Sequence, residues 1–107
     1  RIMNKKLTVI KQKVLPILKE AGITRSSFFG SYVRGENTVK SDVDMLVEVP
    51  DGTGLFAFIG LKNKLEDVLK KKVDLVTYSG LKPLLREPRR DYIAMFGRYG
   101  NDTYRAV

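Results

Sequence analysis

The sequence predicts an α+β domain in which a small β-sheet is backed by helices. Three observations carry that expectation. Two segments repeat apolar residues at three- and four-residue intervals, the period of a helix face. One holds Leu7, Ile10, Val14, Ile17, Leu18 and Ala21; the other holds Leu55, Phe58, Leu61, Leu65, Val68 and Leu69. Short runs beside them alternate in the two-residue period of a strand, most clearly from Asp42 to Val49. The resulting order is helix, strand, short helix, strand, helix, strand. At 107 residues the chain accommodates a single domain, residues 1–107, with one modest core.

The first stripe predicts a helix with Pro16 inside it. That proline removes one backbone hydrogen bond and is expected to kink the helix near Leu15, and Gly22 supplies a stop. Ser26 to Phe29 makes a short first strand. Ser31 is placed to cap a brief helix through about Arg34, ended by Gly35, with a loop from Glu36 to Ser41. In the strand that follows, Val43, Met45, Val47 and Val49 take one face and Asp42, Asp44, Leu46 and Glu48 the other. One side therefore belongs to a core, and the other opens with charged groups. Pro50 to Gly54 is a turn cluster. The second helix runs to Lys70-Lys71-Lys72, whose charges suit a helix C-terminus. Val73 to Thr77 is a third strand, with Asp74 alternating against Val73 and Leu75.

Beyond Leu81 the pattern weakens. Pro83 and Pro88 restrict the backbone and arginines crowd the chain. YIAMF, Tyr92 to Phe96, is the strongly apolar piece, a short helix or strand closing the edge of the core. The core is expected over about residues 5–83, with an irregular basic tail over 84–107 that is loosely held from Gly97 onward.

The formal charge is +8. Positive residues gather in the first twenty (Arg1, Lys5, Lys6, Lys11, Lys13, Lys19), in the triple-lysine run, and in the tail at Arg86, Arg89, Arg90, Arg98 and Arg105. Such a surface favours phosphates or an acidic protein partner; a solvated lysine-rich exterior is the alternative, and composition does not choose between them. Aromatic residues are not interleaved with the lysines, which argues against a nucleic-acid reader. The absence of cysteine and histidine excludes a disulfide framework, thiolate- or histidine-ligated zinc and an imidazole base. Acid–base or metal work then falls to carboxylates. No apolar run approaches the ~18 residues that span a bilayer, and no secretory pattern opens the chain, so a cytoplasmic location is expected.

Chemistry concentrates between Gly30 and Asp74. Gly30-Ser31 follows a hydrophobic strand, Arg34-Gly35 comes next, and after ten residues Asp42-Val43-Asp44 opens a second strand. Side chains at i and i+2 of a strand share a face about 7 Å apart along it. Carboxylates that close repel unless neutralised, and a divalent cation is the natural neutraliser. Two metal ions can serve both the attacking and the leaving oxygen in phosphoryl or nucleotidyl transfer. Asp42, Asp44 and Asp74 are the candidate catalytic and metal-binding residues. Gly30 lets a phosphate approach the backbone, Ser31 offers a hydroxyl, and Arg34 is a candidate phosphate contact. Each has a plainer alternative. Asp42 and Asp44 are solvated residues at a strand start, and Asp74 pairs with Lys71 or Lys72. Ser31 only caps its helix, and Arg34 pairs with Glu36 or Asp42. Either motif alone is weak; the ordered combination is specific.

At these residues the chain resembles the minimal nucleotidyltransferases, small members of the DNA polymerase beta-like superfamily. Their motif of Gly-Ser, ten residues and Asp-x-Asp falls on Gly30, Ser31, Asp42 and Asp44. The flanking segments FFGSYVRGE, SDVDMLVEV, FIGLKNKLEDVL and KKVDLVT are similar too, and the likeness covers roughly Lys5 to Pro83. It implies a mixed sheet with helices in the polymerase beta-like nucleotidyltransferase fold. It implies Mg²⁺ bound by Asp42 and Asp44, with Asp74 completing the site, and a nucleoside triphosphate, ATP, as donor; two ions are expected once the nucleotide binds. Many such proteins are encoded beside a HEPN-domain ribonuclease toxin and act as its antitoxin, transferring AMP to a toxin tyrosine. The resemblance therefore implies a HEPN toxin partner. Relatives finish soon after the LKP segment, whereas Arg86 to Val107 here is arginine-rich and irregular. About 107 residues cannot both cover a base and bind an acceptor, so part of the acceptor surface is expected from a partner or a second copy. A non-catalytic antitoxin that inhibits its partner by binding is the alternative.

Overall fold

The computed structural model describes residues 4–78 and 92–96. The stretch from Gly97 onward and the prolines at 83 and 88, for which the sequence suggested irregular structure, lie outside the described residues.

The first helix, α1, is Lys5–Glu20. Asn4 caps it, its side-chain oxygen accepting from the Leu7 amide at 2.9 Å. Pro16 lies inside but does not divide the helix. Gln12, whose carbonyl loses its partner there, is exposed, so water can take the place of the missing donor. At the other end the Ile23 amide bonds the Leu18 carbonyl and the Gly22 amide bonds the Lys19 carbonyl, both at 3.0 Å. With Gly22 at φ 77°, this is a Schellman stop, and Leu18 and Ile23 are both buried beneath it.

Strand β1 is Arg25–Phe29, α2 is Ser31–Arg34, and β2 is Val43–Glu48. Ser31 is the first helical residue of α2 rather than its cap; the cap is Gly30, which has no side chain to bond. Helix α3, Leu55–Leu69, then crosses over to β3, Val73–Thr77. YIAMF resolves as a strand, β4 (Tyr92–Phe96), within the stretch expected to be an irregular tail.

The sheet order is β3-β2-β1-β4. β1 runs antiparallel to β2 and β4, and β2 runs parallel to β3, so the sheet is mixed. The parallel pair requires the helical crossover that α3 supplies. On one face Phe28, Met45, Val47, Leu75, Ile93 and Met95 pack with Leu7, Val14 and Leu18 of α1 and Leu61 and Leu65 of α3. Leu55 departs from its predicted place in the second stripe. It is 70% exposed, and Phe56 beside it is 90% exposed. The first turn of α3 projects past the core that its later turns join.

Candidate active site

The sheet face opposite α1 and α3 carries the carboxylates. β2 and β3 pair in a register that sets Asp44 directly beside Asp74, with Val43 beside Val73 and Met45 beside Leu75. Because alternate residues of neighbouring strands share a face, the flanking pairs turn inward and the aspartates turn out together, one strand spacing (about 4.8 Å) apart. On the other side of β2, Phe29 at the end of β1 pairs with Asp44. The chain therefore turns at Gly30 directly against that carboxylate. A Cβ on Gly30 would overlap Asp44 Oδ2 and lie 2.8 Å from its Cγ.

Asp44 is half-buried, and its pKa rises from 3.8 to about 6. Burial is the largest cause, followed by the charges of Asp74 and Asp42 and a hydrogen bond with Asp74; the Arg34 charge opposes them. Asp44 and Asp74 thus meet, while Asp42 acts on Asp44 through its charge. Among the described residues, no three or more histidine, cysteine, aspartate or glutamate side chains are placed together to hold a metal ion. Asp42 precedes the first paired residue of β2 and is exposed, so the ladder does not fix it beside the other two. The donor set nevertheless suits a hard divalent cation such as magnesium, which takes one or two carboxylates and leaves its other positions to substrate and water. A cation here would relieve the crowding of negative charge that raises Asp44.

The remaining predicted residues divide. Ser31 is half-buried at the start of α2, next to Gly30. The Gly30 carbonyl closes the turn by accepting from the Val33 and Arg34 amides at 3.0 and 3.2 Å. Arg34 Nε pairs with Glu36 Oε1 at 2.9 Å, the plainer of its two alternatives, while its charge also reaches Asp44.

Three residues on the same face escaped sequence reasoning. Tyr78 follows Asp74 and Val76 in the two-residue period, and its hydroxyl lies 2.6 Å from Ser27 Oγ. Ser27 sits opposite Leu46 on β1, so the Tyr78 side chain must reach across β2 at that level. Leu46, which faces away from both helices, is buried at this level. Arg25 stacks on the Tyr78 ring, 3.9 Å from its centre. Carrying the alternation of VDLVT one residue further places Tyr78 on this face; nothing local in the sequence names Ser27 as its partner.

The approach to Asp74 is held by Glu66. Its Oε2 accepts from the Val73 amide at 2.9 Å and from Lys62 Nζ at 3.1 Å. The Val73 bond first, then Lys62, lowers the Glu66 pKa below 4.5. A carboxyl held below its unfolded value stabilises the fold above that value and loses the contribution as pH falls. Glu66→Gln should therefore lower the melting temperature at neutral pH and leave the difference from the native chain shrinking below about pH 4.5. Thermal melts across that range check it; a constant difference would remove Glu66 from the account.

Comparison with known proteins bears on the family and the fold. Residues 11–104 match the family model described as "Nucleotidyltransferase domain". A Methanocaldococcus jannaschii protein named "Putative protein adenylyltransferase MJ0435" is 47% identical over 78 residues, covering 73% of this chain and 84% of that protein. The Thermococcus cleftensis "Protein adenylyltransferase MntA" is 48% identical over 61 residues, covering 57% and 62%. A solved structure described as a toxin-antitoxin with AMP-PNP superposes with a TM-score of 0.71 at 26% identity, covering 81% of this chain and 73% of that one.

Proposed function

Since the chain belongs to the nucleotidyltransferase domain family and is a nucleotidyltransferase of polymerase beta-like fold, we propose that it is a Mg²⁺-dependent protein adenylyltransferase. In this reaction AMP passes from ATP to a hydroxyl, that of a tyrosine on a HEPN-type toxin, and the transfer makes the chain that toxin's antitoxin. The observation that carries the proposal is the in-register pairing of Asp44 with Asp74, the Asp44 carboxylate packed against a turn where only glycine fits. Relatives named for protein adenylylation support the acceptor class, and the toxin-antitoxin structure with a nucleotide analogue supports donor and partner.

Asp42, Asp44 and Asp74 would hold magnesium, which when bound neutralises the carboxylates and polarises the α-phosphate towards attack. The acceptor oxygen forms a bond to the α-phosphorus, the bond from that phosphorus to the bridging oxygen breaks, and pyrophosphate leaves. Asp74, the more exposed of the paired aspartates, accepts the proton of the attacking hydroxyl. Gly30 makes room for the Asp44 carboxylate at the bend, and the Gly30-Ser31 turn that follows offers the nucleotide phosphates the Ser31 hydroxyl. Arg34 exchanges Glu36 for phosphate when the nucleotide arrives. The Tyr78–Ser27 bridge walls off the far end of the face. No helix among the described residues is long and apolar enough to cross a membrane, and we place the reaction in the cytoplasm, where ATP is available. Incubating the chain with α-labelled ATP, Mg²⁺ and the protein encoded beside its gene should label that protein. Absence of label, with toxin neutralisation intact, would instead establish an antitoxin that works by binding alone.

A further inference from the structure

A cavity of about 440 Å³ opens between α1, the loop after α2 and the end of α3. Its rim carries Lys5, Lys6 and Lys13 of α1 and Lys71 from the turn before β3, and among the described residues no aspartate or glutamate lines it. Its apolar surface includes Val9, 49% exposed, and Val39, 87% exposed. An aliphatic depression inside a ring of like charges is unfavourable in water on both counts. Lys5 and Lys6 also occupy the first turn of α1, which holds no acid, although a helix's positive end disfavours cations. Fold stability explains neither choice.

We infer that this lysine-rimmed groove is the docking surface for an acidic segment of the protein partner, with an apolar side chain seated against Val9 and Val39. The inference rests on the reading of the chain as one half of a protein pair. An apolar anchor inside a polar rim is the usual anatomy of an interface hot spot, and the volume suits one or two large side chains. Charge complementarity selects carboxylates to flank the anchor. Nucleic acid fits less well: Tyr32, the aromatic residue of the lining, is 3% exposed and offers no ring for a base to stack on. A second copy of the chain, also at +8, would meet the rim with like charge.

The position also links docking to the reaction. The groove wall includes Asn37, Thr38 and Val39, which lead into Asp42, and Lys71 Nζ donates to the Val39 carbonyl at 3.0 Å. A seated segment would therefore press on the chain leading to both Asp42 and Asp74.

The test uses the purified protein encoded beside this chain's gene as the toxin, binding being followed by calorimetry. Lys6→Glu/Lys13→Glu and, separately, Val39→Asp should each weaken the complex about tenfold or more. Mg·ATP affinity and the circular dichroism spectrum should stay unchanged. A native complex whose affinity ignores both variants overturns the groove as the docking surface and leaves the partner reading standing. No complex with the native chain overturns both. If the lysine variant instead loses binding to a short random-sequence RNA while keeping the toxin, the occupant is nucleic acid and the inference fails.

Discussion

Asp44→Asn should lower AMP transfer about 10³-fold, or about 4 kcal/mol of transition-state stabilisation, while making the metal-free protein more resistant to heat near neutral pH. The two effects share one origin. Burial, and then the charges of Asp74 and Asp42, push the Asp44 carboxyl up to about 6. A carboxyl raised above its unfolded value supports the fold while protonated, below about pH 4, and that support is lost as pH rises through 6. For a half-exposed group, solvent screening leaves a cost of about 1 kcal/mol at pH 7. With chelator present, the native chain should lose stability between about pH 4 and pH 7, while the asparagine variant should not lose this part. Mg²⁺ should restore the native chain at neutral pH and leave the variant unmoved. Superimposable curves for the two proteins would show that the carboxylate crowding has no energetic weight. A residue that costs stability and is needed for turnover is the usual mark of a site shaped for function.

Gly30→Ala should be damaging in both respects. The residue sits at φ 81° and ψ −153°, a region essentially reserved for glycine, where other residues pay about 1–3 kcal/mol. Its Cβ would also overlap the carboxylate that the site depends on. Together, strain and overlap should destabilise the protein by about 2–4 kcal/mol. Displacement of Asp44 should lower transfer at least about 10²-fold. The double variant Gly30→Ala/Asp44→Gly separates the two causes. It should regain the overlap part of the stability, retain the backbone strain, and remain inactive. Denaturant midpoints of the three proteins measure this, and equal midpoints for the single and double variants would rule out the overlap.

Much of the fold was legible because its signals are local. Alternation from Asp42 to Val49 placed Asp44 opposite the core, and the stripes located both long helices. Where the expectation failed, a non-local partner decided. Leu55 matches the helical period but lies beyond the reach of the sheet, so its turn stays exposed. Ser31 has the chemistry of a cap, yet the close approach of Asp44 requires glycine at the bend, which moved the cap back to Gly30. YIAMF reads equally as helix or strand until the free edge of β1 offers a ladder to join. Tyr78 shares the alternation of Asp74, but its bond to Ser27 spans two strands.

The amino-acid sequence by itself determined which carboxylates are candidates for the chemistry and which face of the strands Asp44 and Asp74 occupy, since both follow from residue type and a two-residue period. Only the tertiary structure decided that Asp44 stands level with Asp74 while Asp42 lies before the paired residues of β2. That outcome depends on the register of two hydrogen-bonded ladders, and slipping β3 by one residue would turn Asp74 into the core. Register is set jointly by the packing of Val43, Met45, Val73 and Leu75 against the helices, a condition that no single segment of the chain contains.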